Sequence, residues 1–173
     1  MQITSRDHWR RWLVDHHADS DGVWVVTYKK SFPGHVAYED LVREALCFGW
    51  VDSTARGVDE QRTSITFTPR RAHSRWTQPN RDRVAALEGA GLMHEAGLAA
   101  VRRAKESGSW DELRPVEALE VPEDLAAALG EARGAWDALS RSARYVHLLA
   151  LHDAKRAETR AKRISAIVGQ LRD

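Results

Sequence analysis

The hydrophobic pattern of this chain changes at Pro79, and the change limits the folds that the chain can adopt. Before Pro79, β-branched and aromatic stretches alternate with stretches in which apolar residues recur at helical spacing. After Pro79, apolar residues recur only at helical spacing. The sequence therefore predicts an α+β fold, in which a small sheet with flanking helices is followed by a helical C-terminal part.

Three stretches in the first half of the chain have the composition of β-strands. Residues 23–30 are rich in valine, tryptophan and tyrosine, while residues 50–55 and 63–68 are joined by a polar turn. The turn predicts a hairpin, and the three strands together predict an antiparallel sheet. Helices are predicted before the first strand and between the first and the second.

The composition along the chain predicts two folded parts. Residues 1–106 form the α+β core with a candidate pocket. Residues 107–122 combine proline, glycine and serine with acidic residues, which is typical of a connector. Residues 123–173 carry an apolar stripe at helical spacing and form a helical appendage.

Several classes of protein are excluded by composition. The net charge of +1 supplies no overall field toward nucleic acid or a membrane surface. No stretch reaches the roughly 18 apolar residues of a membrane span, and the N-terminus lacks the apolar segment of a secretory signal. Cys47 is the single cysteine, which suits a reducing compartment. We therefore expect a cytoplasmic protein that does not insert into a membrane.

Common catalytic and cofactor motifs are absent from the sequence. There is no glycine-rich phosphate loop, no zinc-ligand spacing and no G-x-S-x-G nucleophile motif, so we expect neither a metal nor a cofactor. Cys47 shares a predicted helix face with Glu44, away from the apolar stripe. We interpret Cys47 as a small structural residue, with a reactive thiol as the alternative.

Polar and aromatic residues gather near the predicted strand ends, where binding sites often lie. Asp52 is a poor strand former and needs a partner, and pairing of the two hairpin strands would bring the Arg70 end toward it. Arginine beside tryptophan can hold a small anionic or planar ligand by forked hydrogen bonds and stacking. The candidate ligand-binding residues are Lys29, Trp50, Asp52, Arg70, Arg71, Ser74, Trp76 and Asn80. The structural alternative is an ion pair at Asp52 and an exposed loop anchored by a tryptophan.

Two other functions remain open from the residues alone. An enzyme would use Asp52 or Glu44 as the general base and an arginine as an electrostatic clamp, although no catalytic residue is identified. A module that binds a protein partner or nucleic acid would use the basic segments 54–83 and 138–173. The near-zero net charge counts against nucleic acid.

A set of short motifs carries a family resemblance. They are YKK at residues 28–30, EALCFGWVDS at 44–53, FTPR at 67–70, the serine, tryptophan and asparagine at 74, 76 and 80, and AKRAETRAKRI at 154–164. Together they resemble the YdeI/OmpD-associated family, also called the bacteriocin-protection family, along almost the whole chain. Thr77 and Ala157 depart from its usual serine and proline.

The resemblance implies a role in tolerance of bacteriocins or antimicrobial peptides and an association with an outer-membrane porin. It carries no agreed catalytic residues. Because the N-terminus lacks an export signal, we expect any protective effect to be indirect and to arise inside the cell. The leading hypothesis is thus a cytoplasmic protein of the stress or antimicrobial-tolerance class that binds a small anionic or planar ligand.

Overall fold

The computed structural model describes residues 1–172, so Asp173, the last residue of the predicted appendage and of basic segment 138–173, lies outside the described residues. The chain forms two compact units, and the second begins at Leu113. This boundary falls within the segment 107–122 that the sequence predicts as a connector. The predicted α+β class, with a three-stranded antiparallel sheet and a helical C-terminal part, is confirmed.

The first unit, Met1–Glu112, contains the whole sheet. Its elements are α1 (Arg6–His16), β1 (Val23–Tyr28), α2 (Tyr38–Cys47), β2 (Trp50–Gly57), β3 (Arg62–Pro69), α3 (Gln78–Gly89) and α4 (Glu95–Glu106). The hydroxyl of Ser5 accepts the N–H of His8 at 3.1 Å and so caps α1. After α2, Gly49 adopts a φ of 74°, a conformation that favours glycine.

The strand order is β1-β3-β2, with both pairs antiparallel. The predicted hairpin of β2 and β3 is confirmed, and β3 is the central strand. Its register places Val25 opposite Ile65, and both residues are buried. The pairing of β2 with β3 shifts between Asp52 and Ala55. Such an irregularity re-aims the side chains beside it.

Helices α1 and α2 supply most of the core that the sheet packs against. Trp9 of α1 lies 5.2 Å from Phe67 of β3, measured between ring centroids, and its indole N–H donates to the carbonyl of Leu41 at 3.0 Å. Trp12 stacks on Trp9 and meets the edge of Trp50. These contacts join both helices to the start of β2 and the end of β3.

Glu44 and Cys47 are buried, contrary to their place off the predicted apolar stripe. The two carboxylate oxygens of Glu44 accept from Arg6 Nε at 2.5 Å and from Arg10 Nη1 at 2.6 Å. This pair of arginines from α1 compensates the buried charge, which periodicity on α2 alone does not reveal. Burial raises the pKa of the Cys47 thiol, which favours the structural interpretation.

Helices α2 and α4 cross with almost no space between their backbones. A Cβ atom on Gly97 would lie 2.2 Å from the carbonyl oxygen of Cys47, so only glycine fits at that position. The same carbonyl accepts the N–H of His94 at 3.0 Å, just before α4 begins. This crossing fixes the position of α4 against the end of α2.

The second unit is helical and has its own apolar core. Its elements are α5 (Arg114–Glu117), α6 (Glu123–Leu129), a 3₁₀ turn (Gly130–Ala132), α7 (Arg133–Ala138), α8 (Arg141–His152) and α9 (Ala157–Gln170). Leu125, Trp136, Leu148 and Ile167 are buried together in the core. No helix within residues 1–172 has the length and apolar character needed to cross a membrane.

Two arginines of the basic segment 138–173 make structural contacts within this unit. Arg160 of α9 forms an ion pair with Asp124 of α6 and donates to the carbonyl of Leu151 at 3.0 Å. Arg163 donates to the carbonyl of Ala150. Both carbonyls lie in the last turn of α8, where the intrahelical hydrogen bonds end, so the arginines complete that helix terminus.

Candidate functional site

The candidate site lies at the end of the sheet where β2 begins and β3 ends. Arg70 follows the last residue of β3, and its backbone N–H donates to the carbonyl of Gly49 at 2.9 Å. This bond holds the start of the 70–77 loop against the entrance of β2. The predicted approach of Arg70 toward Asp52 follows from this pairing, because Asp52 lies two residues into β2.

The side chain of Arg70 is only 8% exposed, yet two of its three guanidinium nitrogens make no hydrogen bond to the described residues. Its guanidinium lies 3.8 Å from the centre of the Trp76 ring, and Nη1 donates to the carbonyl of Arg75 at 3.1 Å. Nε and Nη2 are shielded from solvent and have no hydrogen-bond partner among residues 1–172. A buried donor without a partner is unusual and destabilising.

The two unpaired nitrogens form one edge of the guanidinium. Their N–H groups are nearly parallel, and this edge is the one that binds both oxygens of a carboxylate or two oxygens of a phosphate. Burial lowers the pKa of Arg70 to about 10, and the nearby charge of Asp52 partly opposes that shift. Arg70 is thus a buried cation whose anion-binding edge donates no hydrogen bond to any residue that the structure describes.

Asp52 is half-buried at the β2 irregularity, and its carboxylate is held by Tyr38. The hydroxyl of Tyr38, the first residue of α2, donates to Asp52 Oδ2 at 2.7 Å. Partial burial and this hydrogen bond raise the pKa of Tyr38 to about 12. The hydroxyl therefore remains a proton donor to Asp52 at neutral pH.

A second ion pair borders this group. Arg83 of α3 forms forked hydrogen bonds with Glu39 of α2, at 2.7 to 3.1 Å, and also donates to Asn80 Oδ1 at 3.0 Å. The pKa of Glu39 is lowered by this pairing with Arg83. The predicted residue Asn80 thus orients an arginine that sequence reasoning did not single out. Tyr38, Glu39 and Arg83 carry no sequence signal that distinguishes them from ordinary surface residues.

Residues of α3 and of the segment after α4 hydrogen-bond to the 70–77 loop and pack against it. Arg81 is 4% exposed; its Nη1 donates to the carbonyls of Trp76 and Trp110, and its Nη2 donates to Gln78 Oε1. The ring of Trp76 lies 4.9 Å from that of Trp110. The hydroxyls of Ser107 and Ser109 both donate to the carbonyl of Ala72. These contacts hold the loop that carries Arg70 against α3 and the end of the first unit.

Arg70 lies over Trp76 and near Asp52, and Asn80 is linked to this group through Arg83. The other four predicted site residues occupy different settings. Trp50 is 1% exposed, packs against Trp12, and donates to the carbonyl of His17 at 3.3 Å. Lys29 follows the far end of β1, which pairs with the beginning of β3 rather than with its Arg70 end. Arg71 is exposed, and its backbone N–H donates to the hydroxyl of Ser74.

The surroundings of Glu44 do not favour its use as the general base of an enzyme. Both of its carboxylate oxygens accept from arginines in a buried setting, so this carboxylate is already committed to structural hydrogen bonds. Asp52 keeps one oxygen, Oδ1, without a hydrogen bond from the described residues, but Oδ2 is held by Tyr38. No cluster of metal-binding side chains is found within residues 1–172.

The basic segments are also largely engaged in structural contacts. Arg160 and Arg163 complete the end of α8, Arg81 supports the 70–77 loop, and Arg62 pairs with Asp59. Arg56 lies 3.9 Å above the ring of Trp24 on the sheet. Because these cations have partners in the fold, the basic composition of the two segments is weak support for a phosphate-binding surface.

Two family models match the chain. Residues 1–100 match a domain of unknown function, DUF8412, and residues 118–173 match the bacteriocin-protection, YdeI or OmpD-associated family. The sequence motifs predict the second resemblance along almost the whole chain, whereas its model covers only the helical C-terminal part. No curated protein and no solved structure matches. The chain belongs to the DUF8412 family, a family of unknown function whose model covers its first 100 residues, and residues 118–173 match the bacteriocin-protection, YdeI or OmpD-associated family.

Proposed function

We propose that this protein is a cytoplasmic ligand-binding protein of the stress or antimicrobial-tolerance class, and that Arg70 binds a small anion. The observation that carries the proposal is the unpaired Nε and Nη2 edge of Arg70, on a side chain that is only 8% exposed. The tolerance role rests on the description of the family that matches residues 118–173. Binding of the anion is a property of the first unit.

The energetics of burial support an anion as the missing partner. Removing a guanidinium from water costs several kcal/mol unless charge and hydrogen bonds compensate it, roughly as for other buried ions. The carbonyl of Arg75 accepts from Nη1, and the Trp76 ring covers the face of the guanidinium. The edge formed by Nε and Nη2 has no such compensation. A bound carboxylate would provide two charge-assisted hydrogen bonds to that edge.

The contacts of the tryptophans favour the anionic form of the ligand prediction over the planar form. Trp76 has the Arg70 guanidinium over its ring and Trp110 beside it. Trp50 is buried against Trp12. Stacking of a planar ligand on either ring would require these contacts to break, so recognition by charge and hydrogen bonding fits the geometry better.

A thermal-shift experiment tests the proposal. The full chain is melted with and without acetate, propionate and inorganic phosphate at constant ionic strength, and Arg70→Gln and Arg71→Gln are treated identically. An anion at a hundred times its dissociation constant stabilises by about 2.7 kcal/mol. That corresponds to a rise in Tm of roughly 5–10 °C for a chain of this size.

The two variants separate the proposed site from general charge effects. They remove the same charge from adjacent positions, but Arg71 is exposed whereas Arg70 is buried. We expect the shift to disappear in Arg70→Gln and to persist in Arg71→Gln. Equal losses in both variants, or no shift with any of the three anions, would contradict anion binding at Arg70.

A further inference from the structure

Asp52 places a negative charge near Arg70. Asp52 lies two residues along β2 from Trp50, and Trp50 pairs with Pro69, the residue before Arg70; the charge of Asp52 also opposes the lowering of the Arg70 pKa. Yet neither Nε nor Nη2 of Arg70 donates to it. Asp52 Oδ2 accepts from Tyr38, while Oδ1 accepts no hydrogen bond from residues 1–172. Each member of this opposite-charge pair thus retains hydrogen-bonding capacity.

Among Glu39, Asp52, Arg70 and Arg83, the two positive and two negative charges sum to zero. Glu39 and Arg83 neutralise each other in their forked ion pair, which leaves Arg70 positive and Asp52 negative. A simple anion on Arg70 would bring a second negative charge close to Asp52, and the two would repel. A ligand that carries a cationic donor next to its carboxylate would avoid that repulsion and would use both residues.

We propose that the ligand is a small zwitterionic amino carboxylate. Its carboxylate binds the Nε and Nη2 edge of Arg70, and its ammonium group donates to Asp52 Oδ1. This inference rests on the proposed function, namely that Arg70 binds an anion, and adds the chemical class of that ligand. Tyr38 acts as a positioning residue, because its hydroxyl holds Oδ2 and leaves Oδ1 for the ammonium group.

The surroundings of the site favour a small member of this class. The two unpaired nitrogens of Arg70 have no contact with solvent, so a ligand displaces the atoms that cover them. Each displaced packing contact subtracts from the binding free energy. The hydrogen bonds of Arg81 to the carbonyls of Trp76 and Trp110 oppose large movements on that side. L-Alanine therefore serves as the probe.

Titration calorimetry with three matched compounds tests the inference. L-Alanine carries both charged groups, propionate lacks the ammonium group, and ethylamine lacks the carboxylate. With the full chain at about pH 7.5, where the amines are protonated, we expect L-alanine to bind at least about tenfold more tightly than propionate. Ethylamine should bind still more weakly. In Asp52→Asn the preference for L-alanine over propionate should vanish, whereas Asp59→Asn, at the hairpin turn, should retain it.

The outcomes distinguish the two proposals. If propionate binds as tightly as L-alanine, or if Asp52→Asn keeps the preference, the zwitterion inference is wrong and anion binding at Arg70 stands. If none of the compounds binds, or if ethylamine binds as tightly as L-alanine, both proposals are wrong. A tight L-alanine complex that Asp52→Asn weakens to the level of propionate supports both.

Discussion

At the scale of single residues, Arg70 and Arg81 form a natural comparison. Both are buried arginines near the 70–77 loop, but Arg81 donates to Trp76, Trp110 and Gln78, whereas Arg70 leaves one edge unpaired. A buried charge with good partners is costly to remove, and one that lacks them is costly to keep. Residues kept at such a cost are often functional.

This contrast predicts opposite effects of the same substitution. Arg70→Met should raise the free energy of unfolding by about 1 kcal/mol, because an apolar side chain of similar length replaces an incompletely paired buried cation. Arg81→Met should lower it by about 3 kcal/mol, because three acceptors lose their donor. Urea titrations of both variants without added anion measure the difference. A large loss of stability in Arg70→Met would mean that its stacking on Trp76 and its bond to Arg75 outweigh the unpaired edge.

At the scale of elements, the crossing of α2 and α4 depends on Gly97. Gly97→Ala would place a methyl group 2.2 Å from the carbonyl oxygen of Cys47, so one helix must move. We expect a loss of about 3 kcal/mol, which circular dichroism melting would detect as a lower Tm. Gly89→Ala is the control, because nothing lies within 4 Å of the added atom at the end of α3. Equal effects of the two substitutions would show that the crossing is not tightly packed.

The ion pair between Asp124 of α6 and Arg160 of α9 should make the helical unit sensitive to acid. Arg160 holds the pKa of Asp124 below its ordinary value of 3.8, so the pair stabilises above that pH. Its contribution is lost as the pH falls below 3.8 toward the folded pKa. Because both side chains are partly exposed, we expect only about 0.5 kcal/mol.

Urea titrations at several pH values measure this contribution. Asp124→Asn should be less stable than the unsubstituted chain at neutral pH, and the difference should shrink in acid. Glu123→Gln is the control, since Glu123 is exposed on the same helix and has no ion pair among residues 1–172. A difference that stays constant with pH would show that the pair does not contribute through the Asp124 charge.

At the scale of the whole molecule, the two units have separate apolar cores. The core of the first unit centres on Trp9, Phe67 and Leu87, and that of the second on Leu125, Trp136 and Leu148. The division also separates the two family matches, since residues 1–100 and 118–173 lie on opposite sides of the boundary at Leu113. Each unit is therefore a candidate for independent folding.

Expression of residues 1–112 and 113–173 as separate chains tests this independence. We expect the longer fragment to melt cooperatively and the shorter one to be helical but less stable, because a domain of about 60 residues buries a smaller fraction of its surface. Circular dichroism melts of each fragment and of their mixture provide the measurement. A fragment that acquires structure only in the mixture would contradict independent folding.

The sequence alone determined the kinds of elements and their order. The periods of apolar residues and the turn between β2 and β3 are local properties, so they predicted the strands, the hairpin and the change to helices after Pro79. The observed strand ends differ from the predicted ones by up to two residues: β1 ends at Tyr28 and β2 at Gly57. Strand termini depend on their pairing partners, which the local sequence does not specify. The match of residues 118–173 to the bacteriocin-protection family was likewise predicted from local motifs, of which AKRAETRAKRI at 154–164 lies in the matched part.

Only the tertiary structure decided which charged side chains are paired. Glu44 meets arginines more than thirty positions away, Glu39 meets Arg83 from another helix, and Trp50 turns toward Trp12 instead of toward Arg70. Such partners are set by how helices and strands pack, and periodicity along one element carries no information about its neighbour. The sequence predicted that Arg70 and Asp52 would approach. The absence of an acceptor at the Nε and Nη2 edge of Arg70 follows only from the positions of the neighbouring residues in the folded chain.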